Sequence, residues 1–177
     1  STKPSLWESE ANKAKTVALW KKLSERYKSE SWVAGYDLIN EPAWDLPGGV
    51  ALRDLYGRIT DAIRANGDNH ILFIEGNWYS NDYTGLTPAW DANMVYVFHK
   101  YWSNSSTQDI KWITDFREAQ NRPIWCGEHG ENSNDHFTKI VETFEENNIG
   151  FSWWPMKKFS SINDFADAKF PPGYNDL

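Results

Sequence analysis

The chain has 177 residues, 40% of them hydrophobic, which is enough to bury a core, and it reads as a single domain or as part of a larger one. Its net charge of −7 argues against a nucleic-acid partner, because counterion displacement needs a basic stripe, and no Lys/Arg block is present. No apolar run is long enough to span a bilayer, and the single cysteine, Cys126, excludes an internal disulfide. The unusual figure is 16% aromatic residues, including 11 tryptophans, several of them in segments that read as loops, where packing alone is a weak explanation.

In chain order, Ser5-Leu6-Trp7-Glu8 has the capping-box pattern, and Val17, Trp20, Leu23 and Tyr27 recur at helical spacing, predicting a helix over Ser5 to Lys28. Trp32 to Asn40 reads as a buried strand that ends at Glu41-Pro42. After the loop Ala43 to Gly49, the residues Leu52, Leu55, Tyr56, Ile59 and Ile63 mark one helical face, stopped by Asn66-Gly67. His70 to Glu75 is a second strand, Gly76 to Pro88 a polar, aromatic loop, and Met94 to His99 a third strand.

A helix through Ile110, Ile113 and Phe116 to Gln120 precedes a fourth strand, Pro123 to Gly127. Ser133 or Asn134 caps a helix whose apolar face is Phe137, Ile140, Val141 and Phe144, and Ile149 to Trp154 is a fifth strand. The tail from Phe159 to Leu177 has no helical face and reads as irregular. Strands alternating with helices predict an α/β fold on a parallel sheet, either open and doubly wound or closed as a barrel.

Four segments carry a resemblance. Asn40-Glu41-Pro42 ends the first strand, His99-Lys100-Tyr101 the third, Gly127-Glu128 the fourth, and Ser152-Trp153-Trp154 the fifth. In this order they resemble the strand-end motifs of glycoside hydrolase family 5, a family of retaining (β/α)8 TIM-barrel β-glycosidases. The resemblance implies that residues 1–177 are the C-terminal part of one catalytic domain and supply about five βα units, strands 4 to 8. The N-terminal half of the barrel, with strands one to three, is then expected in a segment outside these residues.

The resemblance also implies roles. Glu41 is expected to be the acid/base and Glu128 the nucleophile, because a retaining glycosidase needs one carboxyl group to protonate the leaving oxygen and another to attack the anomeric carbon. Asn40 matches the residue that binds the sugar 2-hydroxyl, His99 the active-site histidine, Tyr101 a donor to Glu128, and Trp154 the platform beneath the sugar. Trp44, Trp78 and Trp102 follow strand ends and are candidates for further sugar subsites. Within the first strand, period-two alternation puts Asp37 and Ile39 on the side of Glu41. In the fourth strand the same parity turns Ile124 and Cys126 towards the barrel axis and Trp125 towards the helices.

The expected partner is a β-linked polysaccharide or oligosaccharide, with endo-β-1,4-glucan hydrolysis as the leading activity. Mannan, xyloglucan and other β-glucans are alternatives, and a non-catalytic carbohydrate-binding protein is the alternative from another class. No cofactor is implied, and His129 and His136 lack an HExxH-type spacing that would make a metal site. A secreted or periplasmic location is expected from the resemblance alone.

Overall fold

The computed structural model describes residues 4–101, 104–155, 157–159 and 166–168. Its elements in chain order are α1 (Glu10–Tyr27), β1 (Gly35–Asp37), α2 (Val50–Arg64), β2 (Ile71–Glu75), the one-turn α3 (Asn77–Ser80), β3 (Met94–Lys100), α4 (Lys111–Gln120), β4 (Ile124–His129), α5 (Asn134–Glu146), β5 (Gly150–Trp153), β6 (Lys157–Phe159) and β7 (Ala166–Ala168). The first five strands form one sheet in chain order, β1-β2-β3-β4-β5. The β1–β2, β2–β3 and β4–β5 pairs are parallel. Two compact units divide the chain after Val97, and they are described in turn.

In residues 1–97, α2 supplies the core face that the spacing predicts: Leu52, Leu55, Tyr56, Ile59 and Ile63 are all fully buried. Leu72 and Ile74, also fully buried, lie on one face of β2 and belong to the same core, while Ile71 and Phe73 on its other face are half-buried. The α1 helix begins at Glu10 rather than near Ser5, because Ser9 is its N-cap and accepts from the Asn12 N–H. Ser5 lies in a separate turn whose N–H donates to Glu8. Val17, Trp20, Leu23 and Tyr27 are only half-buried, and the Trp20 indole reaches over to donate to the Leu38 carbonyl.

The first strand is shorter than Trp32 to Asn40. Only Gly35–Asp37 pairs, and Trp32 is 94% exposed. Gly35 is required there, since a Cβ would stand 2.4 Å from the Ile71 carbonyl oxygen of the neighbouring strand. Asp37, expected on the inner side, is exposed, while Tyr36 and Leu38 are buried.

The N-terminal end of β2 is fastened by ions. Asp68, fully buried, accepts from the Tyr36 hydroxyl at 2.7 Å, from the His70 backbone N–H at 2.9 Å, and contacts the His70 ring at 2.6 Å. Burial works against the Asp68 charge, but these donors outweigh it and hold its carboxyl below the usual range. Arg64, at the end of α2, pairs its guanidinium with both oxygens of Asp91 and donates to the Asp68 and His70 carbonyls.

In residues 98–177, α4 is preceded by a 3-10 turn (Thr107–Ile110) that Ser106 and Asp109 close as a capping box, so the helical region starts earlier than the apolar pattern suggests. Ser133 caps α5, and Phe137, Ile140 and Phe144 are buried as predicted, whereas Val141 is half-buried. The fourth strand extends to His129, two residues beyond the expected Gly127, with a register irregularity against β5 between Cys126 and His129. The tail is not wholly irregular, since β6 and β7 pair in parallel.

Asp68 offers a direct test of how the base of β2 is held. In the full-length protein, Asp68→Asn should lower stability by about 1.5–3 kcal/mol, the range for hydrogen bonds to a charged group, read as a shift of the urea midpoint at unchanged slope. An unchanged midpoint would show that the Asp68 cluster is incidental.

Candidate active site

Glu41 follows β1 with φ of 42°, in the left-handed region that a residue with a Cβ enters only at a cost. The conformation persists because its surroundings over-determine it. The Glu41 N–H donates to Glu75 Oε2 at 2.6 Å, and Glu75, at the end of β2, is fully buried. Tyr56 of α2 donates to the Glu75 carbonyl at 2.9 Å, which ties the helix to the same strand end.

The next residues are held as firmly. The Asn77 side chain accepts from the Trp44 N–H at 3.3 Å and donates to the Trp44 carbonyl at 2.9 Å, and the Tyr79 N–H donates to the Pro42 carbonyl at 3.2 Å. The loops after β1 and β2 are therefore stapled together by four hydrogen bonds, counting that from Glu41 to Glu75. In α3, Trp78, Tyr79 and Ser80 take φ values of 51°, 60° and 64° in succession. A run of left-handed residues is strained, and Ser80 is anchored by its hydroxyl to the Val97 carbonyl at 2.6 Å. This run turns Trp78 and Tyr79 outward, where they are 51% and 57% exposed, and Trp44 is 45% exposed. Asn40 is also exposed.

Glu128 lies in β4, in the other unit. The Tyr101 hydroxyl donates to Glu128 Oε2 at 2.6 Å, and His99 Nδ1, on a buried ring, stands 3.8 Å from the same oxygen. The sequence pairs Glu128 with Tyr101, and the structure brings both of these and His99 together. Ile124 and Cys126 are buried, and burial pushes the Cys126 thiol pKa well up. Trp125 packs its ring over Gly150, where a Cβ would stand 2.1 Å from the indole.

Trp154 is half exposed, and its N–H donates to the His129 carbonyl at 2.8 Å. Gly130, with φ of 145°, allows the close approach, since a Cβ there would meet the Trp154 oxygen at 2.4 Å. Trp102 lies outside the described residues.

One residue escapes sequence reasoning, and a second, His129, is weighed there only as a metal ligand. Glu75 carries no motif, and its only signal is a carboxylate at the C-terminal end of a buried strand, just before Gly76. His129, next to Glu128, is fully buried, and neither ring nitrogen has a hydrogen-bond partner among the described residues. Its ring is packed by Trp153, Phe151 and Phe144 at centroid distances of 4.2, 5.1 and 5.4 Å. Burial, and then the neighbouring His136, push its pKa down to about 4.

Strand-end carboxylates on an α/β framework, Glu75 met by the Glu41 N–H and Glu128 by the Tyr101 hydroxyl, define the class as a barrel-type hydrolase scaffold. The family model for cellulase, glycosyl hydrolase family 5, matches residues 2–160. The chain belongs to glycosyl hydrolase family 5. It is 33% identical over 98 residues to a beta-xylosidase of Phanerodontia chrysosporium, covering 54% of this chain and 20% of that protein. It is 32% identical over 138 residues to a probable glucan 1,3-beta-glucosidase A of Neosartorya fischeri, covering 71% and 33%. Among solved structures, XacCel5A superposes with a TM-score of 0.76 at 15% identity, covering 93% of this chain and 64% of that one. Thermotoga maritima Cel5A in complex with mannotriose superposes with a TM-score of 0.74 at 18% identity, covering 90% and 63%.

These likenesses establish the fold as that of the (β/α)8 barrel, of which this chain supplies five strand units. The chain spans between a fifth and a third of the length of the curated relatives it matches.

The His129 environment gives a pH signature. The unfolded imidazole, with a pKa near 6.5, binds protons that the folded one refuses, so the contribution to stability is complete above pH 6.5 and is lost as pH falls from 6.5 to about 4. The loss should be at most about 3 kcal/mol. In His129→Leu the midpoint of unfolding should fall less over that window than in the parent, and parallel pH curves would refute the assignment.

Proposed function

We propose that the protein is a retaining glycoside hydrolase that cleaves β-glycosidic bonds in a β-linked glycan, with Glu128 as nucleophile and Glu41 as acid/base. The observation that carries the reading is the hydrogen bond from Tyr101 to Glu128 at 2.6 Å in a chain of family 5. Tyr101 donates to one carboxylate oxygen, leaving the other to attack.

In the first step the free Glu128 oxygen bonds to the anomeric carbon as the bond to the leaving oxygen breaks, and the Glu41 carboxylic acid gives its proton to that oxygen. In the second, the Glu41 carboxylate takes a proton from water, whose oxygen bonds to the anomeric carbon and releases Glu128. Asn40 would hold the 2-hydroxyl, and His99 and Trp154 the sugar beside it. Trp44 and Trp78 would extend the binding surface, as would Trp102.

The substrate expected is β-1,4-glucan, cleaved within the chain. Support comes from the exposed tryptophans, which suit the apolar faces of an equatorially linked polymer, and from neighbours whose structures hold cellobiose and cellopentaose. The activity is assigned to the whole protein, including a segment that completes the barrel, and a location outside the cytoplasm is proposed with it.

In the full-length protein, Glu128→Ala should abolish turnover of an activated aryl β-glycoside, with azide restoring it as a glycosyl azide of inverted configuration. Glu41→Ala should slow turnover by about 10²–10⁴-fold, and azide should give the retained product. The opposite stereochemical pattern would exchange the two roles. On a panel of soluble polysaccharides β-1,4-glucan should be cleaved fastest, and faster cleavage of mannan, xyloglucan or β-1,3-glucan would replace that substrate. Binding without a covalent 2-fluoro glycosyl adduct would make it a carbohydrate-binding protein.

A further inference from the structure

Residues 1–97 contain a cleft of about 530 Å³ between the turn before α1 and the loop after Glu41. Trp7, Trp44, Pro47 and Val50 form its walls, and Glu8, Asp45 and Asp54 stand along it. This volume lies within the range of about 300–1,000 Å³ usual for small-ligand sites. Two of the wall residues are openly presented, Trp44 at 45% and Val50 at 70% exposure.

The cleft is built rather than collapsed. Asn77 fixes Trp44 from both sides of its peptide backbone. The loop beneath, Asp45 to Gly49, turns through Gly48 and Gly49 at φ of 64° and 68°, and a Cβ on Gly49 would lie 1.8 Å from the Thr84 carbonyl oxygen. The platform is thus seated directly on a neighbouring backbone. The indole N–H groups of Trp7 and Trp44 reach no acceptor, and the Asp45 carboxylate receives no donor, among the described residues.

Two indoles, two unused N–H donors and an unused carboxylate match what a pyranose ring presents: apolar C–H faces and hydroxyls that both accept and donate. Among the described residues the charged lining is all negative, with no Lys, Arg or His. A uronate or sulfated sugar would meet like charge there, and a neutral one would not.

We propose that this cleft is a subsite for one neutral pyranose unit of the glycan, with Trp7 and Trp44 as its platforms and Asp45 as its hydroxyl acceptor. The proposal rests on the reading of the protein as a glycan hydrolase and adds a selection for uncharged chains.

The test uses the full-length protein and compares a neutral β-1,4-linked hexasaccharide with an aryl β-glycoside too short to reach the cleft. In Trp7→Ala the ratio of kcat/KM for the hexasaccharide to that for the aryl glycoside should fall about three- to tenfold, through KM. An unchanged ratio in a variant that melts like the parent overturns the subsite. Asp45→Lys provides a second reading if Trp7→Ala fails to fold: it should raise the rate on carboxymethylated β-glucan relative to the neutral polymer, and an unaltered preference overturns the charge selection. Failure of the hydrolase reading is separable, because a Glu128→Gln protein titrated with the hexasaccharide reports the cleft by tryptophan fluorescence without turnover. A titration that Trp7→Ala weakens supports the subsite, and one that Trp7→Ala leaves unchanged overturns it.

Discussion

The buried carboxylate of Glu75 governs the surroundings of Glu41. A carboxylate fully removed from water is costly unless strong donors meet it, and one donor here is the main-chain N–H of Glu41 at 2.6 Å. That bond fixes the peptide plane before Glu41, and the φ of 42° that follows is one that the chain would otherwise leave. Pro42 then restricts the backbone further, and its carbonyl is held by the Tyr79 N–H. The direction of the Glu41 side chain is thus set by a neighbouring strand, not by its own short strand of three residues.

The same device recurs at smaller scale. Asn77 uses its amide and its carbonyl on the two sides of Trp44, and Ser80 uses its hydroxyl on the Val97 carbonyl. Each side chain replaces water on backbone groups that a loop would otherwise leave solvated. The left-handed run from Trp78 to Ser80 becomes tolerable only within this mesh, and its effect is to turn two aromatic rings outward.

Around Glu128 the supporting chemistry differs. A strong hydrogen bond from Tyr101 meets the carboxylate on one side of β4, while the adjacent His129 points away from it into Phe144, Phe151 and Trp153. Alternation along a strand sends neighbours to opposite faces, so a carboxyl group held by a tyrosine and an uncharged buried imidazole can be sequence neighbours with opposite environments. His129 fills an aromatic pocket as a neutral ring, and burial keeps it so.

The sequence by itself determined the elements whose signal is local and periodic. The α2 face from Leu52 to Ile63 and the Ser133 cap follow from 3.6-residue spacing and from the short-range bond of a cap. Motif order at the strand ends was equally local, and it was sufficient for the family. Tertiary structure decided what depends on partners far along the chain. Glu75 acquires its role from Glu41, 34 positions away, and Trp44 from Asn77, 33 positions away. The start of α1 moved to Glu10 because Ser9, not Ser5, found the helix N–H, and β1 shrank to Gly35–Asp37 because only those residues pair with β2. No periodicity encodes such choices, since a buried polar group is placed by whichever distant donor completes its hydrogen bonds.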